Sequence, residues 1–162
     1  MSGSGASPPS SPHTLLVEEA AQLRDFLVLL EKEQQALAGG DLEKLLPLAA
    51  EKNRSFAALS QLGEARGRAL MAAGLAASRQ GMESWLAQHP DAGKARRDWQ
   101  AFLDLADRAR NLNQINGGLI AARLAHNQQA LATLMAAANQ AALYGPDGQA
   151  RPLGSGRSLG SV

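Results

Sequence analysis

The residues of this chain best suited to acid–base or metal chemistry are three histidines, His13, His89 and His126. No carboxylate or second histidine stands three or four residues from any of them, which is the spacing of metal ligands on a helix. The sequence also lacks cysteine and the Glu-x-x-His, Gly-x-Ser-x-Gly and P-loop motifs. It therefore predicts no catalytic residue, no metal ligand and no cofactor, and indicates a protein that is not an enzyme.

The charged residues are nearly balanced, with 16 basic and 15 acidic residues and a net charge of +1. This balance gives no general attraction to nucleic acid or to an anionic membrane. No apolar run approaches the ~18 residues of a membrane span, and the first residues, MSGSGASPPSSPH, lack the basic and apolar regions of a secretory signal. We expect a cytoplasmic protein that neither binds nucleic acid nor inserts into membranes. Glu31 and Glu33 are expected on a solvated helix face.

The composition favours helix along almost the whole chain, because alanine and leucine dominate while valine and isoleucine are scarce. We predict an all-α fold: an antiparallel helical hairpin or bundle of three long helices, with one short helix before the last and coiled-coil-like packing. Residues 1–12 are rich in Ser, Gly and Pro and are predicted to be disordered. Residues 13–144 should form the bundle, and residues 145–162 a flexible tail.

The first helix has clear start and stop signals. Ser11-Pro12 is typical of a helix N-terminus and Gly39-Gly40 of a C-terminus. Apolar residues recur between them at alternating spacings of four and three, which is the repeat of a coiled coil. The repeat comprises Leu16, Ala20, Leu23, Leu27, Leu30 and Leu37, with Gln34 as a polar interruption.

The second helix should begin at Asp41, a good N-cap residue, and Pro47 should kink it or delay its regular start. The short Gly-Gly-Asp link predicts that it runs antiparallel to the first helix. It can continue to about Ala73, with Gly74 as its stop. Its expected apolar stripe comprises Leu42, Leu45, Ala49, Phe56 and Leu59, interrupted by Lys52.

A short helix over residues 78–89 should precede the last helix, which Pro90 or Asp91 opens. From Trp99 the last helix keeps a four-three repeat that runs through polar residues, and we expect Asn113, Gly117 and Asn127 to face the interior. A buried asparagine costs stability but fixes helix register. These residues either only align the helices or line a surface that exchanges partners. The residues assigned to register are Asn113, Asn116, Gly117 and Asn127.

The far end of the last helix is alanine-rich, so its own side chains bury little area there. Leu131, Leu134, Met135 and Leu143 are the larger apolar groups. Such a segment is either a close alanine-packed contact or a weakly anchored amphipathic helix that awaits a partner.

Three stretches, taken in order, resemble the FlgN-type flagellar export chaperones. They are LLEKEQQALAGGDLEKLLPLAAEKNRSFAAL (residues 29–59), NLNQINGGLIAARLAHNQQAL (residues 111–131) and LYGPDGQ (residues 143–149). The family has a Leu/Glu-rich first helix, a Gly-Asp turn, and a long last helix with Asn-x-x-Asn-Gly and Arg-Leu-x-x-Asn. The resemblance covers about residues 15–149.

The resemblance implies a secretion chaperone that is not an enzyme. Such proteins bind the C-terminal helical segments of the hook–filament junction proteins, prevent premature assembly and deliver the segments to the flagellar type III export gate. The last helix carries client binding in this family, and a tyrosine near its end helps to dock on the gate's cytoplasmic domain; Tyr144 matches that position. The client-binding residues expected here are Leu124, Leu131, Leu134, Met135, Ala138 and Leu143.

One alternative stays open, a structural or adaptor coiled-coil protein that forms a homodimer through its long repeat. A chaperone of this kind should be a monomer or a weak dimer that gains stability from a client helix. An adaptor dimer would be stable alone and indifferent to such a helix.

Overall fold

The computed structural model describes residues 10–143, with side chains through Asn139, and within that range the chain forms helices and no strand. The predicted all-α fold with three long helices and a short one before the last is confirmed. The predicted tail over residues 145–162 and most of the segment 1–12 lie outside the described residues. The chain divides into two compact units, residues 1–119 and residues 120–162. The helices are α1 (Pro12–Gly39), α2 (Leu45–Ala72), α3 (Arg79–Gln88) and α4 (Gly93–Leu143).

Helix α1 has the predicted caps and the predicted buried face. The Ser11 hydroxyl accepts a hydrogen bond from the Thr14 amide at 3.1 Å. At the other end, Gly40 adopts φ 72°, a left-handed conformation that glycine reaches without steric cost. The predicted repeat is confirmed because its apolar members are buried, namely Leu16, Ala20, Leu23, Leu27, Leu30 and Leu37.

Helix α2 runs antiparallel to α1, as the short link predicts. Lys52, near the start of α2, pairs with Glu33 near the end of α1 at 3.1 Å. Arg66, near the end of α2, pairs with Glu19 near the start of α1 at 2.6 Å. Both carboxylates are almost fully buried, and a buried charge is tolerated only when it is paired in this way.

The junction between α1 and α2 delays the regular helix, as Pro47 predicts. A 3₁₀ turn over Leu42–Lys44 precedes α2. Asp41 is the N-cap residue of this turn but makes no side-chain capping bond, and Lys44 holds the N-cap position of α2, so the N-cap predicted for the second helix is wrong. The Asp41 carboxylate lies 2.8 Å from the Lys44 ammonium instead.

The apolar stripe predicted for α2 is partly wrong, because Leu42, Ala49 and Phe56 are exposed. The inward face carries polar residues that have partners on α1. Lys52 binds Glu33, and the Ser55 hydroxyl accepts a hydrogen bond from a glutamine of α1 at 2.9 Å. A prediction that assigns only apolar residues to the buried side of a helix therefore misses Lys52 and Ser55.

The core of the first unit has two clusters. The lower cluster joins all four helices around Leu16, Leu70, Met82, Leu86 and Trp99. The upper cluster contains α1 and α4 residues, with Leu59 of α2 packed against it; its buried members are Leu23, Phe26, Leu27, Leu30 and Ala109.

Helix α3 closes the lower cluster, and Ser78 is its N-cap. The Ser78 hydroxyl accepts a hydrogen bond from the Gly81 amide at 3.2 Å. A Cβ on Gly81 would overlap the Ala76 carbonyl oxygen, so no larger residue fits without a shift of the backbone. The link from α2 to α3 is therefore tightly folded.

Candidate binding surface

The part of α4 in the first unit is anchored beside α1. At its start, the Asp98 carboxylate accepts hydrogen bonds from the Lys94 ammonium and the His13 ring, each at 2.8 Å. These two bonds hold the pKa of the Asp98 carboxyl below its usual range. Farther along, Ala109 packs among α1 residues. Because the early residues of both helices meet, and the later residues likewise, α4 runs parallel to α1.

A buried polar layer joins α1, α2 and α4 above the upper cluster. Asn116 is 0% exposed, and its Nδ2 donates to the Leu30 carbonyl and to Glu33 Oε1, both at 2.9 Å. The same Glu33 carboxylate accepts from Lys52 Nζ at 3.1 and 3.4 Å. Asn116 Oδ1 accepts no hydrogen bond from the described residues. Asn116 is therefore the residue through which the polar layer holds α4.

The positions predicted for the other register residues are wrong. Asn113, Gly117 and Asn127 are exposed, and a Cβ on Gly117 would meet no atom within 4 Å. A strict four-three repeat assumes one constant contact line, but a straight helix drifts by about 20° per heptad. By the third heptad the side of α4 that faces α1 has shifted around the helix. Asn116 is therefore buried, while the predicted positions on either side of it, Asn113 and Gly117, are exposed.

Sequence reasoning also missed the partners of Asn116. Glu33 was expected on a solvated face, yet its side chain is 8% exposed. One signal was available, because Lys52 interrupts an otherwise apolar stripe and a cation on an inward face requires an anion opposite.

The second unit presents its apolar side chains to solvent. Leu134 is 68% exposed, and Leu124, Leu131 and Met135 are each 58% exposed. At 100° per residue these positions fall within an arc of roughly 100° on one side of the helix. We call this face the exposed stripe; its members are Ile120, Leu124, Asn127, Leu131, Leu134, Met135 and Ala138.

This segment is helical because of its composition rather than its packing. Alanine, leucine and glutamine have high helix propensity, and residues 120–139 contain no buried residue. The segment also lacks negative charge, because no Asp or Glu occurs between Asp107 and Asp147. Arg123 and His126 are the titratable residues of the exposed segment.

The arrangement is suited to helix–helix contact. A row of exposed leucines and a methionine at helical spacing is the face that an amphipathic helix uses to bind a second helix. Residues 10–139 contain no group of three potential metal ligands. Within the described part of the chain, no helix is both long and apolar enough to cross a bilayer.

Five of the expected client-binding residues therefore share one solvent-facing surface: Leu124, Leu131, Leu134, Met135 and Ala138. The sixth, Leu143, is the last residue of α4, and its side chain lies outside the described residues. Tyr144 lies outside them as well.

Comparison with known proteins identifies the family. The family model described as "FlgN protein" matches residues 10–152. The chain is 30% identical over 144 residues to a flagella synthesis protein FlgN of Proteus mirabilis, a match that covers 87% of this chain and 91% of the relative. It is 28% identical over 137 residues to that of Salmonella typhimurium, covering 83% and 86% respectively.

Two further matches agree. A FlgN protein of Yersinia enterocolitica is 47% identical over 53 residues, a stretch that spans 33% of this chain and 35% of that relative. A crystal structure of a Pseudomonas aeruginosa protein described as a flagella synthesis protein FlgN matches with a TM-score of 0.61 and 26% identity. That match covers 70% of this chain and 90% of the solved one. The family match spans most of the chain, and the chain belongs to the FlgN family of flagella synthesis proteins.

Proposed function

We propose that this chain is a cytoplasmic chaperone of the flagellar type III export system. It binds the C-terminal helical segments of the hook–filament junction proteins, keeps them from assembling early and delivers them to the export gate. The single observation that carries the proposal is the exposed stripe of residues 120–138, in a chain of the FlgN family. Isolated exposed leucines are ordinary, whereas a row of apolar residues on one helix face is typical of an interaction site.

The composition of the exposed stripe suits a chaperone that must release its client. Leucines alternate with small residues such as Ala138, so the contact area per turn is modest. Met135 has a flexible, polarisable side chain that adapts to partners of different shape. A stripe of this kind gives enough affinity for capture without the tight hold of an all-leucine interface.

The experiment is a titration of the full chain with a C-terminal junction-protein segment, comparing wild type, Leu134→Asp and Gln129→Asp. A carboxylate at position 134 would be buried against the client, so we expect at least a tenfold loss of affinity with an unchanged melting temperature. Gln129 lies on the opposite side of the helix, and its substitution introduces the same charge without affecting the contact. Equal affinities for all three proteins would contradict the proposal.

The alternative of a homodimeric adaptor would use the same stripe for self-association. Sedimentation velocity at micromolar concentration distinguishes the two functions. A chaperone is a monomer or a weak dimer that forms a heterocomplex when the segment is added. A stable dimer that ignores the segment would establish the adaptor.

Tyr144 is proposed as the export-gate contact. The support is its place in the family resemblance, at the start of a Tyr-x-x-x-Gly turn, and its being the only tyrosine of the chain. Tyrosine is enriched at energetically important interface positions. Tyr144→Ala should leave client affinity within about a factor of three, because it removes no member of the exposed stripe, yet weaken binding to the gate's cytoplasmic domain. Equal loss of both activities would place Tyr144 in the client site instead, and loss of neither would exclude a docking role.

A further inference from the structure

Asn127 is the polar member of the exposed stripe. It lies between Leu124 and Leu131, three and four residues away, and on a regular helix it falls inside the arc of the stripe, toward the Leu134 side. Its side chain is exposed, and its amide makes no hydrogen bond to the other described residues. A helix that covers Leu124 and Leu131 therefore covers Asn127 as well.

Covering an asparagine has a chemical consequence that this chain itself illustrates. Where Asn116 is buried, its Nδ2 donates to the Leu30 carbonyl and to the Glu33 carboxylate. An amide buried without such acceptors loses its hydrogen bonds to water and gains nothing in return. Asn127 has no acceptor of its own, so the partner must supply one.

The charge around Asn127 is compatible with either an amide or a carboxylate acceptor. The chain has no acidic residue between Asp107 and Asp147, so a partner carboxylate would meet no like charge there. Nearby His126 and Arg123 are basic side chains. An acidic or amide-bearing helix is therefore accepted, whereas a lysine opposite Asn127 could donate to Oδ1 but would leave Nδ2 without an acceptor and would add a second cation near Arg123.

We propose that Asn127 sets the register and selectivity of the client helix. The client must place one amide or carboxylate side chain opposite Asn127, with apolar residues three and four positions to either side. A helix that is apolar throughout would leave Asn127 buried and unpaired, and a helix shifted by one turn would do the same. This inference rests on the proposed function, because it concerns the client of the same surface.

The test is a set of double-mutant cycles on the full chain. In a C-terminal junction-protein segment, each polar residue of its apolar face is replaced by leucine, one at a time. Each peptide is titrated against wild type, Asn127→Leu and the matched control Asn139→Leu, in which an exposed asparagine off the stripe is replaced. We expect one peptide position to lose at least about fivefold in affinity for wild type and to recover against Asn127→Leu. No position should couple to Asn139.

The outcomes separate this inference from the proposed function. If the segment binds wild type and Leu134→Asp abolishes binding, but no peptide position couples to Asn127, the chaperone proposal stands and the register inference is wrong. The register inference is equally wrong if the same peptide position couples to Asn139 as strongly as to Asn127. If the wild-type segment fails to bind the wild-type chain, both proposals fail.

Discussion

The two units of this chain use similar residues in opposite ways. In the first unit, leucines at helical spacing are buried, and Leu16, Leu30 and Leu70 are each 0% exposed. In the second unit, leucines at the same spacing are exposed, and Leu134 reaches 68%. Two asparagines show the same contrast, because Asn116 is buried with partners while Asn127 is exposed without them. An apolar face therefore indicates a contact, but not whether its partner lies in the same chain.

The largest difference between the units should appear when equivalent leucines are truncated. Leu30→Ala removes a fully buried side chain from the upper cluster and should cost about 2–5 kcal/mol of unfolding free energy. Leu134→Ala should change it by less than about 0.5 kcal/mol, because the side chain is exposed. Urea denaturation measures both. Similar losses for the two variants would mean that the second unit has a core of its own.

Two helical glycines, Gly81 and Gly118, allow a tightly packed backbone position to be compared with an open one. Gly81→Ala places a Cβ against the Ala76 carbonyl and should cost about 3 kcal/mol through overpacking. Gly118→Ala meets no atom within 4 Å and should stabilise the helix by about 0.5–1 kcal/mol. Thermal denaturation followed by circular dichroism should show a lower melting temperature for Gly81→Ala and a higher one for Gly118→Ala. A neutral Gly81→Ala would show that the link between α2 and α3 can relax.

The smallest expected effect concerns the polar layer. Asn116→Ala removes the two donors to Leu30 and Glu33 and should destabilise by about 1–3 kcal/mol. Asn113→Ala, three residues earlier and exposed, should stay within about 0.5 kcal/mol. Urea denaturation measures both losses of unfolding free energy. A larger loss for Asn113→Ala than for Asn116→Ala would mean that Asn113, and not Asn116, is the buried residue.

The fold was largely predictable from the sequence because its signals are local. The Ser11 cap, the Gly40 stop and the apolar repeat of α1 each follow from propensity and spacing within one helix. The start of α4 at Gly93, two to three residues later than predicted, reflects the usual ambiguity of helix ends.

The buried polar layer was less predictable because it depends on three helices at once. Glu33, Lys52 and Asn116 are individually ordinary surface residues, and only their meeting in space explains their burial. The exposed stripe presents the reverse problem. Its apolar pattern predicts a contact surface, but a repeat cannot reveal that Leu131 and Leu134 are exposed within the described chain.

Hydrogen exchange of the full chain, with and without a junction-protein C-terminal segment, tests the central claim most directly. In the free chain, amides of residues 120–139 should exchange faster than those of residues 16–37, because they lack buried contacts. Adding the segment should slow exchange mainly within residues 120–139. The claim would be contradicted if protection appeared within residues 16–109 while residues 120–139 stayed unchanged.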